Sequence, residues 1–176
     1  MESRFKRNME LAAKWGLYGL LLLAAAVLQT TPGLLNIGSV KPVFILPVCL
    51  AVALCEGPYA GALFGALGGL VWDLSAGRTV GLLAISSLLL CFGAALVVEH
   101  YLQVNSMNFV LISGVACLAI TSMDFLFNYV MRGFSGAGER FLAGVIPICV
   151  FTAAVSPLIF GAVHRIYQSR EHKGGL

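Results

Sequence analysis

The stretch GPYAGALFGALGGLVWDLSAGRTVG, residues 57–81, decides the fold. Gly57, Gly61, Gly65, Gly69, Asp73, Gly77 and Gly81 fall four residues apart without a break. The first five lie in or beside an apolar run from Pro58 to Trp72. Residues four apart share a helix face, so this spacing strips one ridge of its side chains. In lipid, such a ridge lets a second helix come unusually close. From Gly57 to Asp73 the ladder rises about 24 Å and drifts by about 40° per step. It is a slanted stripe, suited to a partner helix that crosses at an angle. It ends at a carboxylate, which is expensive near hydrocarbon and so a functional suspect.

Composition supports a membrane reading of the rest. The chain has 176 residues, 59% hydrophobic and 11% charged, against about 25% charged in a soluble domain. Its mean hydropathy is +0.92 over the whole length. This predicts an all-α, polytopic protein: one membrane domain over 1–176, with polar tails at about 1–14 and 164–176 and no room for a soluble domain. A cleaved signal peptide is not expected, because no small-x-small site precedes a polar start.

Six spans are expected: about Trp15–Gln29, Pro42–Cys55, Pro58–Leu74, Thr79–Val98, Asn108–Met131 and Phe141–His164. The second is short for a ~30 Å hydrocarbon layer. Pro147 and Pro157 are expected to kink the sixth. An even count puts both tails on one side. Arg4, Lys6, Arg7, Lys14, Arg165, Arg170 and Lys173 then assign that side to the cytoplasm, against Lys41, Arg78, Arg132 and Arg140 outside. The tails lack aromatic interleaving, so nucleic acid is not an expected partner. Cys49, Cys55, Cys91, Cys117 and Cys149 all lie in apolar runs without a C-x-x-C pair, which supports neither a disulfide framework nor a metal site. No cofactor is expected.

Two acids are candidates for polar work. Asp73 reads either as an end-of-span carboxylate bonded to the next turn and to Arg78, or as a site residue facing a cavity. Its place near the interface, wetter than the bilayer centre, favours the first. Asp124 lies deeper, and Asp124, Asn128 and Arg132 share one face. That face must look into the bundle or at a partner. It reads as an interhelical hydrogen-bond node or as a ligand site. Gly133-Phe134-Ser135-Gly136 matches the G-x-S-G of rhomboid proteases. The candidate base, His164, falls at the opposite end of the predicted topology, so the match is rejected. Nothing assembles a nucleophile, base and oxyanion site, and no catalytic residue is expected.

The run from Gly65 and Gly69 into Asp73-Leu74-x-x-Gly77-x-x-x-Gly81 resembles the MreD family of bacterial rod-shape-determining membrane proteins. So do Lys41-Pro42 opening the second span, Asp124 in the fifth and the short basic tail. The family often has Asn or Asp after that proline, whereas this chain has Val43. The resemblance implies a non-enzymatic subunit of the cell-elongation (Rod) complex in the cytoplasmic membrane. Its implied partners are MreC, the actin-like MreB, and the RodA glycosyltransferase with its penicillin-binding transpeptidase. It also implies a fold similar to the S components of energy-coupling-factor transporters, six helices around a cavity. A vitamin-binding S component is therefore the alternative reading. The sparse polar inventory at membrane depth (Asp124, Asn128, Ser86, Ser87, Thr121, Ser122) favours the scaffold. The glycine stripe is expected to receive another helix, either internal or the single span of MreC.

Overall fold

The computed structural model describes residues 2–31, 41–76, 81–101, 105–131 and 137–174. These form six α-helices and one π-helical turn: α1 (Glu2–Thr30), α2 (Ile45–Glu56), α3 (Pro58–Ala76), α4 (Leu82–Tyr101), α5 (Ser106–Phe125), the π turn Leu126–Val130 and α6 (Ala137–Gly174). Residues 2–14 continue into α1 and residues 165–174 continue α6 as helix. Helix α6 continues through Pro147 and Pro157. Among the described residues, four segments are long and apolar enough to cross a membrane: Leu11–Thr30, Leu82–Tyr101, Ser106–Val130 and Gly144–Ser169. Helix α3 has 19 residues, but its glycines and Asp73 dilute its hydropathy.

Helix α2 is the centre of the bundle. It has 12 residues, a rise of about 18 Å that falls short of a ~30 Å hydrocarbon layer. Every residue from Ile45 to Ala53 is buried. A helix that is apolar all round has no preferred outer face and belongs inside. The residues before it, Lys41 to Phe44, are not helical, so the second element starts three residues later than the sequence suggests. The other five helices all pack on it.

Neighbouring helices run antiparallel. Gly61 meets Ala53 while Gly68 meets Ile45 and Cys49, which sets α3 against α2. Gly65 meets Ser87 and Cys91 while Gly69 meets Leu83 and Ala84, which sets α4 against α3. Phe109 stacks on Phe160 at 4.7 Å, and Thr121 lies 3.6 Å from Cys149, which sets α6 against α5. Lys14 Nζ sits 4.9 Å above the Tyr167 ring, so the N-terminal half of α1 and the C-terminal half of α6 share one end of the bundle.

Candidate functional site

The glycine stripe is filled from within. A Cβ on Gly65 would lie 2.6 Å from the Ser87 carbonyl oxygen, and one on Gly69 would lie 2.5 Å from Ala84 Cα and the Leu83 oxygen. These obstacles are backbone, so they cannot swing aside. A Cβ on Gly61 would overlap Ala53. The stripe drifts as it climbs, and its occupant changes from α2 at Gly61 to α4 at Gly65 and Gly69. Two helices already occupy this face, which leaves no room there for a helix of another chain. The Ser87 hydroxyl crosses the same seam, 2.5 Å from the Gly65 carbonyl oxygen. Gly57 is different: its φ of +95° ends α2 and turns the chain into α3, and the space around it is open. Gly77 lies outside the described residues.

Asp73 sits where this seam ends. Its Oδ2 accepts from the Gly81 N–H at 2.8 Å and the Ala84 N–H at 3.3 Å. These are among the first N–H groups of α4, which have no acceptor within their own helix. An acid from α3 thus caps α4, at the end where the helix dipole favours negative charge. Gly81 takes a φ of +104°, a conformation that favours glycine. Asp73 is only 1% exposed, and its Oδ2 takes hydrogen bonds from the start of the next helix. Its Oδ1 has no partner among the described residues. Arg78, the expected ion-pair partner, lies outside them.

Helix α2 is capped the same way from a distance. Gln29 Oε1, at the end of α1, accepts from the Phe44 and Ile45 N–H groups at 3.0 and 3.1 Å. Thr152 Oγ1, on α6, accepts from the Val43 N–H at 3.0 Å. Sequence reasoning missed both residues. Gln29 is a lone amide at a span end, which reads as a boundary marker, and Thr152 gives no signal within its apolar run.

The ends of α1, α3 and α5 and the starts of α2 and α6 surround a cavity of about 610 Å³. Lys41, Pro42, Asp124 and Asn128 all line it, together with Trp72 and Tyr129. Asn128 Nδ2 donates to Asp124 Oδ1 at 2.8 Å and to the Asp124 carbonyl at 3.2 Å. Both residues flank the start of the π turn, and single π turns recur at functional sites. Arg132 lies outside the described residues. Asp73 does not line this cavity, so the two candidate acids belong to different places: one to a helix cap, the other to a pocket wall.

At the other end of the bundle, Lys14 Nζ pairs with Glu56 Oε1 at 2.6 Å, and the Tyr18 hydroxyl donates to the same oxygen at 2.7 Å. Both charged side chains are mostly buried, 14% and 12% exposed, and Tyr18 is fully buried. This cluster ties α1 to the C-terminal end of α2. Lys14, counted in the sequence as a topology signal, is therefore also a packing residue.

The arrangement contains helix caps, a seam and a mixed-polarity cavity. A family model for the rod shape-determining protein MreD matches residues 9–164. The chain belongs to the MreD family. Comparison with curated proteins gives no match, and neither does comparison with solved structures. The matched region runs from before Lys14 to His164, so it takes in the seam, both caps, the cavity and the Lys14–Glu56 pair. The family is a structural, shape-determining one, and its membership makes this chain a rod-shape-determining membrane protein.

Proposed function

We propose that this chain is a non-enzymatic, multi-pass subunit of the bacterial cell-elongation complex, which binds MreC and helps organise peptidoglycan synthesis. MreB, RodA and its penicillin-binding transpeptidase partner are the further members of that assembly. The observation that carries this reading is the family match over nearly the whole chain. All six α-helices cross or enter the cytoplasmic membrane, in an arrangement like that of transporter S components. Both termini face the cytoplasm, where the basic residues of α1 and α6 meet anionic lipid.

In this role the seam glycines act on partners indirectly. Gly61, Gly65 and Gly69 hold α2, α3 and α4 together, and the assembled bundle presents the outer surface that MreC meets. Asp73 with Gly81, and Lys41-Pro42 with Asp124 and Asn128, fix the geometry of the end away from the tails. The test is an affinity pull-down of the tagged chain from native membranes. Recovery of MreC supports the proposal. Recovery of ATP-binding transporter subunits in its place overturns it in favour of an S component.

A further inference from the structure

Three hydrogen-bond donors from three parts of the chain line the cavity of about 610 Å³: the Gln29 amide of α1, the Lys41 ammonium before α2 and the Trp72 indole N–H of α3. Gln29 Oε1 accepts from the Phe44 and Ile45 N–H groups, which turns its Nε2 away from α2. Gly68 of α3 meets Ile45 of α2, so Trp72, one turn further, lies level with the stretch that carries Lys41. Among the described residues, none of these three donors has a protein acceptor. The other polar groups of the cavity have spent their protons. Thr30 donates to the Ala26 carbonyl, Ser75 to that of Val71 and Thr121 to that of Cys117. Asn128 Nδ2 donates twice to Asp124, which has a further interaction besides. The acid is thus engaged within the protein, and the unspent protons belong to Gln29, Lys41 and Trp72.

Donors without acceptors call for a ligand made of acceptors. We propose that this cavity binds a water-soluble organic phosphate, its oxyanion held by Lys41, Gln29 and Trp72. Lysine binds phosphate as a point charge, whereas a planar carboxylate is better matched by the fork of an arginine. Donors that arrive from three segments suit the tetrahedral oxygens of a phosphate more than the two coplanar oxygens of a carboxylate. Lys41 is exposed, so the ligand enters from water at the end of the bundle away from the tails. The volume is within the range of small-molecule sites and exceeds what a bare phosphate needs. Phe125 and Tyr129, stacked at 5.0 Å on the facing wall, give an apolar or aromatic body its place. Binding here is independent of the elongation-complex reading, because a pull-down can recover MreC whether or not the cavity takes an anion.

The test is equilibrium binding of radiolabelled phenyl phosphate to the full chain in phosphatidylcholine nanodiscs, with benzoate as the carboxylate competitor. Saturable binding is expected, with benzoate weaker by about fivefold, the ratio that one net hydrogen bond supports. Lys41→Gln is expected to weaken binding about tenfold, as loss of a charged hydrogen bond does. Gln29→Glu keeps the acceptor for the Phe44 and Ile45 N–H groups and replaces the amide donors with a carboxylate oxygen. It is expected to remain folded and to abolish binding, and it carries the test if Trp72→Phe does not elute as a single folded species. Lys6→Gln, in the tail at the opposite end, is expected to leave binding unchanged. No saturable binding, benzoate bound as tightly as phenyl phosphate, or undiminished binding by folded Gln29→Glu overturns the proposal. So does loss of binding when phosphatidylglycerol replaces part of the phosphatidylcholine, which would assign the donors to a lipid head.

Discussion

Asp73 reaches across eight positions of the chain to accept the Gly81 N–H at 2.8 Å. That bond explains why a stripe of small residues ends in an acid. The glycines bring α4 against α3 until its first turn lies beside the end of α3. The carboxylate then meets N–H groups that α4 cannot satisfy itself. Packing and capping are two halves of one device.

The cap sets an order among substitutions at Asp73. Asp73→Asn keeps an acceptor and loses the charge, while Asp73→Ala loses both. Asp73→Ala is expected to destabilise the bundle by about 1–2 kcal/mol, the usual worth of a cap, and Asp73→Asn by less. The midpoint of thermal unfolding in detergent reads the order. Equal midpoints for wild type and Asp73→Ala would remove the cap from the account.

The seam separates glycines that matter from glycines that do not. Gly65→Ala and Gly69→Ala place a methyl against backbone and are expected to cost about 1–3 kcal/mol each, as overpacking does. Gly16→Ala and Gly19→Ala meet open space on α1 and are expected to be neutral, or stabilising by up to about 1 kcal/mol from helix propensity. Membrane abundance and unfolding midpoint measure both pairs. Similar effects at the two pairs would mean the seam is looser than described.

Much of this was written in the sequence. The ladder of Gly61, Gly65 and Gly69 was visible because a helical face repeats nearly every four residues, and such a pattern needs no tertiary knowledge. The doublet Gly68-Gly69 hid a second contact. Gly68 falls off the stripe, yet a Cβ there would overlap Cys49 on α2. The identity of the occupying helix was not legible, since a stripe says that something packs and not what. Gln29, Thr152 and the Lys14–Glu56 pair were not legible either. Their partners lie 15 to 109 positions away, and no local period records such a distance. The cavity was half legible: Asp124 and Asn128 were marked by polarity within an apolar run, whereas Trp72 and Tyr129 gave no such contrast.

The distant caps on α2 make a sharp test of its buried start. Thr152→Val keeps the shape and removes the acceptor for the Val43 N–H. Leaving that group unpaired is expected to cost about 1–3 kcal/mol. Gln29→Leu strands two N–H groups and is expected to cost more, while Gln29→Glu retains an acceptor and is expected to cost less than Gln29→Leu. Unfolding midpoints of the three variants give the ranking, and a Gln29→Leu protein as stable as wild type would contradict it.

The pair at the opposite end is open to a double-mutant cycle. Lys14→Met or Glu56→Leu alone strands a mostly buried charge, so each is expected to be more harmful than both together. The coupling between them is expected to be about 1–3 kcal/mol, the range for residues in one network. Additive effects would show that the 2.6 Å contact contributes little to stability.

The role we propose for this chain, maintaining rod shape as part of the elongation complex, is open to test in the cell. The most direct measurement is cell morphology after depletion of the native copy, with tagged wild-type chain or the Gly65→Leu, Gly69→Leu double variant supplied in its place. The wild type is predicted to restore rods. The double variant is predicted to leave round cells because its membrane abundance falls, with MreC recovered per remaining molecule unchanged. Cells that stay rod-shaped through full depletion, or stay round with wild-type chain at normal abundance, would contradict the account.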